Sequence, residues 1–327
     1  MLKIPLEPVE SVTVTTLMDN VSDLLLQDQG PAKRASINDE SAPRAAARFV
    51  EVGAVGDPLR AEHGFSALVS IRKGDRTRNV LFDAGISPDG VVENMRRLSF
   101  SPKDIEAMVM SHGHFDHTVG LDGLASELGT VNLPVMVHPE FWSRRRIAIP
   151  GRNASELPTT SKSALVGAGF EVIEDRQPSF LLDGSLLITG EVDRTTEYEK
   201  GFSVHQAFRD GGWQPDPLIL DDQALILNVR GKGLVVLTGC GHAGIVNIVR
   251  YAKKLTGVND VYAAIGGFHL NGPLFEPIIP ATIAALLELN PRHIVPAHCT
   301  GWRAVHAIAG ALPDAFIQNS VGTRFGL

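Results

Sequence analysis

Cysteine is scarce in this chain of 327 residues: there are two, Cys240 and Cys299. A fold held together by disulfides is therefore excluded, and because both cysteines stand beside histidines that qualify as metal ligands, a structural disulfide between them is the weaker expectation. A reducing, cytoplasmic setting fits. Basic residues are not in excess either, with 30 Lys and Arg against 37 Asp and Glu and a formal net charge of −7. They are dispersed, which argues against a duplex nucleic-acid partner, whose footprint is a basic stripe. No apolar run approaches the length of a membrane span. Met1 to Glu10 contains prolines and acids with no basic start leading into an apolar core, so no secretory signal is expected. No linker, repeat or composition shift divides the chain, and 44% hydrophobic residues suffice for a large core. One α/β domain over 1–327 is expected, with surface insertions at 27–48 and 141–162; the sequence leaves the oligomeric state open.

What the chain does have is concentrated at Ser111-His112-Gly113-His114-Phe115-Asp116-His117, three histidines and a carboxylate directly after an apolar run. Imidazole and carboxylate are the nitrogen and oxygen ligands of borderline metals. On a strand running into a loop, His112 and His114 point the same way, because side chains alternate with period two. Asp116 and His117, beyond the turn, are offset towards a second ion. Two ions about 3.5 to 4 Å apart activate a shared water and polarise the group it attacks. A solvated polar turn would explain one histidine but not four ligand-type residues in the pattern H-x-H-x-D-H.

The same form, an apolar strand ending in small residues and a ligand, recurs three times. Leu234 to Leu237 runs into Thr238-Gly239-Cys240-Gly241-His242, Val261 to Ile265 into Gly266-Gly267-Phe268-His269, and His293 to Ala297 into His298-Cys299. In open α/β sheets, sites gather beyond the carboxyl ends of strands.

The pattern resembles the metallo-β-lactamase superfamily, and the order of segments from about Val12 to Thr300 supports the likeness, with Leu81-Phe82-Asp83-Ala84-Gly85 as the characteristic turn. The resemblance implies a four-layer αββα sandwich with two mixed sheets, and two divalent ions, zinc first, with manganese or iron as alternatives. It assigns His112, His114 and His242 to one ion and Asp116, His117 and His298 to the other. Asp83 is expected to organise backbone. Thr189-Gly190-Glu191 and Thr238-Gly239-Cys240 depart from the family's usual third and fourth motifs, so Glu191 and Cys240 compete with His242 to complete the centre. Asp116 and His269 are the catalytic candidates, Asp116 as proton acceptor and His269 for substrate orientation or general acid chemistry.

The implied activity is metal-dependent hydrolysis, with a metal-bridging hydroxide attacking an ester, lactone, amide or phosphoester of a small, possibly anionic substrate. Glu62-His63-Gly64-Phe65-Ser66, Gly267-Phe268-His269-Leu270 and His298-Cys299-Thr300-Gly301 point to a branch that implies an alternative: a transferase condensing a pterin diphosphate with an aromatic amine phosphate, as in methanopterin-type biosynthesis. A non-catalytic sensor is disfavoured because all four ligands of the first motif are present. The di-iron redox branch is disfavoured by histidine at 114. Three further features are left without a ligand role: His138 as a core or supporting residue, Arg144, Arg145 and Arg146 on an exposed excursion, and 27–48 as a long loop or short helix forming a lid.

Overall fold

The computed structural model describes residues 5–35, 44–130 and 132–327. Two mixed sheets face one another. The first runs Phe170–Glu174, Leu133–Val137, Ile105–Val109, Arg76–Phe82, Ser66–Lys73, Ser11–Met18, Arg324–Gly326, Ala32–Lys33, its first four strands parallel and the rest antiparallel. The second runs Ser179–Leu181, Leu186–Ile188, Ala224–Val229, Gly233–Thr238, Val261–Gly267, His293–Ala297, with the last three parallel.

Alternation along the strands builds the layers. In Ala224–Val229, Leu225, Leu227 and Val229 join the core between the sheets, while Ala224 and Ile226 face the helices outside. Helices Ile245–Thr256, Ile279–Leu289 and Trp302–Ala311 cover that outer face through Val249, Leu286 and Ile308. Helices Gly90–Arg97, Leu121–Leu128 and Lys162–Gly167 cover the first sheet, packing Met95, Leu124 and Leu165 on Leu81, Met108 and Val135. The result is the expected αββα sandwich. Among the described residues, no helix is long and apolar enough to cross a membrane.

Part of 27–48, at 36–43, lies outside the described residues, so the lid expected there cannot be placed. Its flanks form no helix: Ala32–Lys33 edges the first sheet, and Arg44–Ala45 pairs with Val55–Gly56. The 141–162 segment is less of a surface excursion than its charges suggested. Arg145–Ile147 and Ser155–Glu156 join His205–Arg209 and Gly212–Pro215 in a small antiparallel sheet, with Arg145 only 1% exposed. Strand alternation is the reason: Arg144 and Arg146 lie over the Trp213 ring, and Arg145 turns inward to Asp221.

Candidate metal centre

Parallel pairing places the carboxyl ends of Arg76–Phe82 and Ile105–Val109 at one edge of the first sheet, and those of Gly233–Thr238, Val261–Gly267 and His293–Ala297 at one edge of the second. Each end carries ligand-type residues. His112 and His114 follow Val109, and Asp116 and His117 lie in the tight turn Phe115–His117. Gly113 lets that loop pass: a Cβ there would sit 2.0 Å from the Phe141 carbonyl oxygen, and its N–H donates to Asp221 Oδ2 at 2.8 Å. Arg145 pairs with both Asp221 oxygens, so a buried ion pair braces the motif. Asp83, His269 and His298 hold left-handed backbone with φ of 60°, 44° and 47°. Such conformations cost about 1–3 kcal/mol each and tend to cluster at functional sites.

Two ligand groups result. His112, His114 and His242 form the first, their donor atoms within 4.8 Å of one another. His114 Nδ1 is 3.0 Å from His112 Nε2 and 3.2 Å from His242 Nε2. Asp116, His117, Cys240 and His298 form the second. Asp116 Oδ2 is 3.3 Å from His298 Nε2 and 3.8 Å from His117 Nε2, and Cys240 Sγ is 3.2 Å from His117 Nε2. The rings of His112 and His117 are 4.3 Å apart, so the groups adjoin.

Surrounding hydrogen bonds decide which ring nitrogens face inward. Asp83 accepts the Ser111 N–H at Oδ1 and, at Oδ2, both the Ser111 hydroxyl and His117 Nδ1, each at 2.7 Å. With its proton given to Asp83, the Ser111 hydroxyl accepts from His112 Nδ1 at 2.9 Å. The Nε2 atoms of His112 and His117 are thereby turned to the centre. Burial lowers His117, but Asp83 and Asp116 outweigh it and push the ring up to about 9, so a cation binding there displaces its Nε2 proton. His114 is held from its other side: His205 Nδ1 donates to the Asp216 carbonyl at 3.0 Å, so His205 Nε2 accepts from His114 Nε2 at 3.0 Å and His114 Nδ1 stays free. Partners of this kind fix tautomer and ring orientation in metal sites.

The donor set fits divalent cations. Burial, reinforced by neighbouring positive groups, holds His112, His114 and His242 well below the ordinary histidine value, so the three converge as neutral imidazoles. Lone pairs packed this closely repel unless a cation lies among them. On a tetrahedral zinc with bonds of 2.0–2.1 Å, ligand nitrogens are about 3.3 Å apart, close to what His114 makes with its neighbours. His298 Nε2 is buried, and beside its 3.3 Å contact with Asp116 Oδ2 it makes no well-directed hydrogen bond among the described residues. Burial opposes ionisation of Asp116, but His117 and His298 outweigh it and hold its carboxyl well below the usual range.

Other candidates sit around this core. Glu191 lies outside both groups, its carboxylate bound to His138 Nε2 (3.2 Å) and Arg176 (2.9 Å). His138 is buried and its two ring nitrogens are taken up by Glu191 and the Glu140 N–H, so it belongs to neither ligand group. Glu62 accepts the N–H groups of Ile86 and Ser87 and so shapes the turn after Asp83. His63 is on the rim, 3.9 Å from Asp116 Oδ2 and 64% exposed. His269 lies over His242 at 4.2 Å between ring centres, with Phe275 and Phe202 beside it at 4.4 and 5.8 Å. Sequence reasoning missed His205, Asp221 and this aromatic wall. The run Arg144–Arg146 is the one sequence feature that bears on them, since a strand there turns one of its arginines inward to a carboxylate.

Residues 61–251 match the family model described as the metallo-beta-lactamase superfamily. A protein of Methanocaldococcus jannaschii named 7,8-dihydropterin-6-methyl-4-(beta-D-ribofuranosyl)-aminobenzene-5'-phosphate synthase is 32% identical over 271 residues, 81% of this chain and 90% of its own length. An uncharacterized protein of the same organism is 32% identical over 269 residues, 82% of this chain and 94% of that protein. Among solved structures, a metal-dependent hydrolase of the beta-lactamase superfamily superposes with a TM-score of 0.70 at 23% identity, covering 96% of this chain and 98% of the other.

Proposed function

The chain belongs to the metallo-beta-lactamase superfamily, and from that premise we propose that it is a binuclear metal-dependent hydrolase of a small substrate with an ester, lactone, amide or phosphoester bond. The observation that carries this reading is the adjacency of the two ligand groups, one of neutral histidines and one containing a carboxylate and a thiol. His112, His114 and His242 hold one ion; Asp116, His117 and His298, with Cys240, hold the other. Zinc suits nitrogen and sulfur donors best, ahead of manganese or iron. Divalent ions supply Lewis acidity and water whose pKa is lowered towards about 7.

The protein's own groups do the rest. Asp116 takes up the proton given up by the attacking water. His269 orients the substrate, and Phe202 and Phe275 offer an apolar wall to its non-reacting part. Two free thiols at the centre suit a reducing compartment such as the cytoplasm.

A second reading has its own support. The aromatic wall and the relative at 32% identity favour condensation of a pterin diphosphate with an aromatic amine phosphate. Metal analysis and a substrate panel, run on the wild type and His112→Ala, test both. Hydrolysis that disappears together with bound metal supports the first; condensation without hydrolysis supports the second. Unchanged metal content in His112→Ala contradicts the centre itself.

A further inference from the structure

We propose that Cys240, Cys299 and His269 form a third, sulfur-rich cation site for a thiophilic divalent ion, and that the Cys240 thiolate is shared between it and the Asp116 group. The donor atoms of these three residues lie within 4.8 Å of one another. Both thiols are free and buried, Cys240 at 3% and Cys299 at 8% exposure. Among the described residues, His269 Nδ1 is buried with no hydrogen-bond partner, and Cys299 Sγ is hydrogen-bonded to the Cys240 carbonyl, at 3.3 Å.

The backbone is arranged to let the thiols meet. Cys240 and Cys299 follow strands Gly233–Thr238 and His293–Ala297, which are separated by Val261–Gly267. They approach over Gly267, where a Cβ would lie 2.8 Å from Cys299 Sγ and 2.3 Å from the Gly239 carbonyl oxygen. Any other residue there would push the donors apart. Left-handed backbone at His269 brings its ring to the same place.

Two sulfurs and a nitrogen select soft or borderline ions such as zinc or cadmium over magnesium or manganese. Three protein ligands leave a coordination position open, as in catalytic zinc sites and unlike closed structural ones. The two ring nitrogens of His269 serve both roles assigned to it, one towards this ion and one towards the substrate. The inference goes beyond the two-ion reading, and only the sharing of Cys240 links them.

Cobalt(II) titration of reduced, metal-free protein tests it, reading thiolate-to-cobalt charge-transfer absorption and, after dialysis, bound cobalt by elemental analysis. The wild type should bind one equivalent more than Cys299→Ser, whose band should fall to about half as one of two thiolates is lost. His269→Asn, which keeps both thiols, should weaken the last equivalent by about tenfold. His112→Ala should lose a different equivalent and keep the whole band. Cys299→Ser matching the wild type in stoichiometry and band overturns the third site and leaves the two-ion reading intact. A wild type that binds no cobalt overturns both. If Cys299→Ser does not fold, a last equivalent in His269→Asn as tight as in the wild type overturns the site independently.

Discussion

Asp83→Asn is the substitution whose consequences the structure defines most closely. Asp83 is fully buried and receives three donors, two of them on Oδ2. An asparagine has one oxygen for them. With that oxygen at the Oδ2 position, the Ser111 N–H faces an amide NH2 and is left unpaired. In the flipped orientation the NH2 faces His117 Nδ1, and the imidazole keeps its place only by moving its proton to Nε2, the nitrogen turned towards Cys240 and Asp116. Either way at least one charge-assisted bond is lost, worth about 1.5–3 kcal/mol, and the metal-free protein should lose about that much stability in urea unfolding. Loss of a partner behind a ligating histidine lowers metal affinity about 10- to 100-fold. The assay is competition for zinc or cobalt against a chelator of known affinity. A variant within twofold of wild-type affinity and with unchanged stability would refute the role given to Asp83.

Three further outcomes follow from the same geometry. Arg145→Met strands the Asp221 carboxylate in the interior and should cost about 3–5 kcal/mol at neutral pH. Burial alone would raise the Asp221 carboxyl, but Arg145 holds it below the ordinary 3.8, so the pair's stabilisation is full above that value and fades as acid protonates Asp221. The gap between variant and wild type should therefore narrow in acid; a gap that stays constant or widens in denaturation curves argues against this. Gly113→Ala forces a methyl onto the Phe141 carbonyl and should lower both the melting temperature and metal content, whereas a variant indistinguishable from wild type would show that the loop has room. His205→Gln should weaken the ion held by His112, His114 and His242 by about 10- to 100-fold and leave the Asp116 group's ion in place, measured by stepwise chelator removal; equal loss of both ions would mean that His205 acts on overall folding.

What the chain disclosed in advance was local. His112, His114, Asp116 and His117 lie within one short loop, and Cys240 and His242 repeat its form, so strand alternation and ligand chemistry marked them as ligands; alternation would also have kept Cys240 with His242, whereas the fold sends His242 to the His112 group and Cys240 to the Asp116 group. The sheets were legible for the same reason: runs such as Leu234 to Leu237 are apolar on both faces because a sheet covers one side and helices the other. What stayed hidden was long-range. His205 meets His114 across 91 positions and Arg145 meets Asp221 across 76, and no spacing rule links residues so far apart. Glu191 misled for the complementary reason. It stands where a motif residue is expected, but in the folded chain His138 and Arg176 satisfy its carboxylate. Similarly, Arg144 to Arg146 looked like a solvated charge run because composition does not show which of three consecutive strand residues turns inward.

The proposed hydrolysis requires two cations side by side at the carboxyl ends of these strands. A crystal structure of metal-loaded protein, with anomalous diffraction recorded at the metal's absorption edge, tests it most directly. One anomalous peak is expected among His112, His114 and His242 and another among Asp116, His117, Cys240 and His298. Ordered side chains with no anomalous peak at either position, or metal found only elsewhere on the chain, would contradict it.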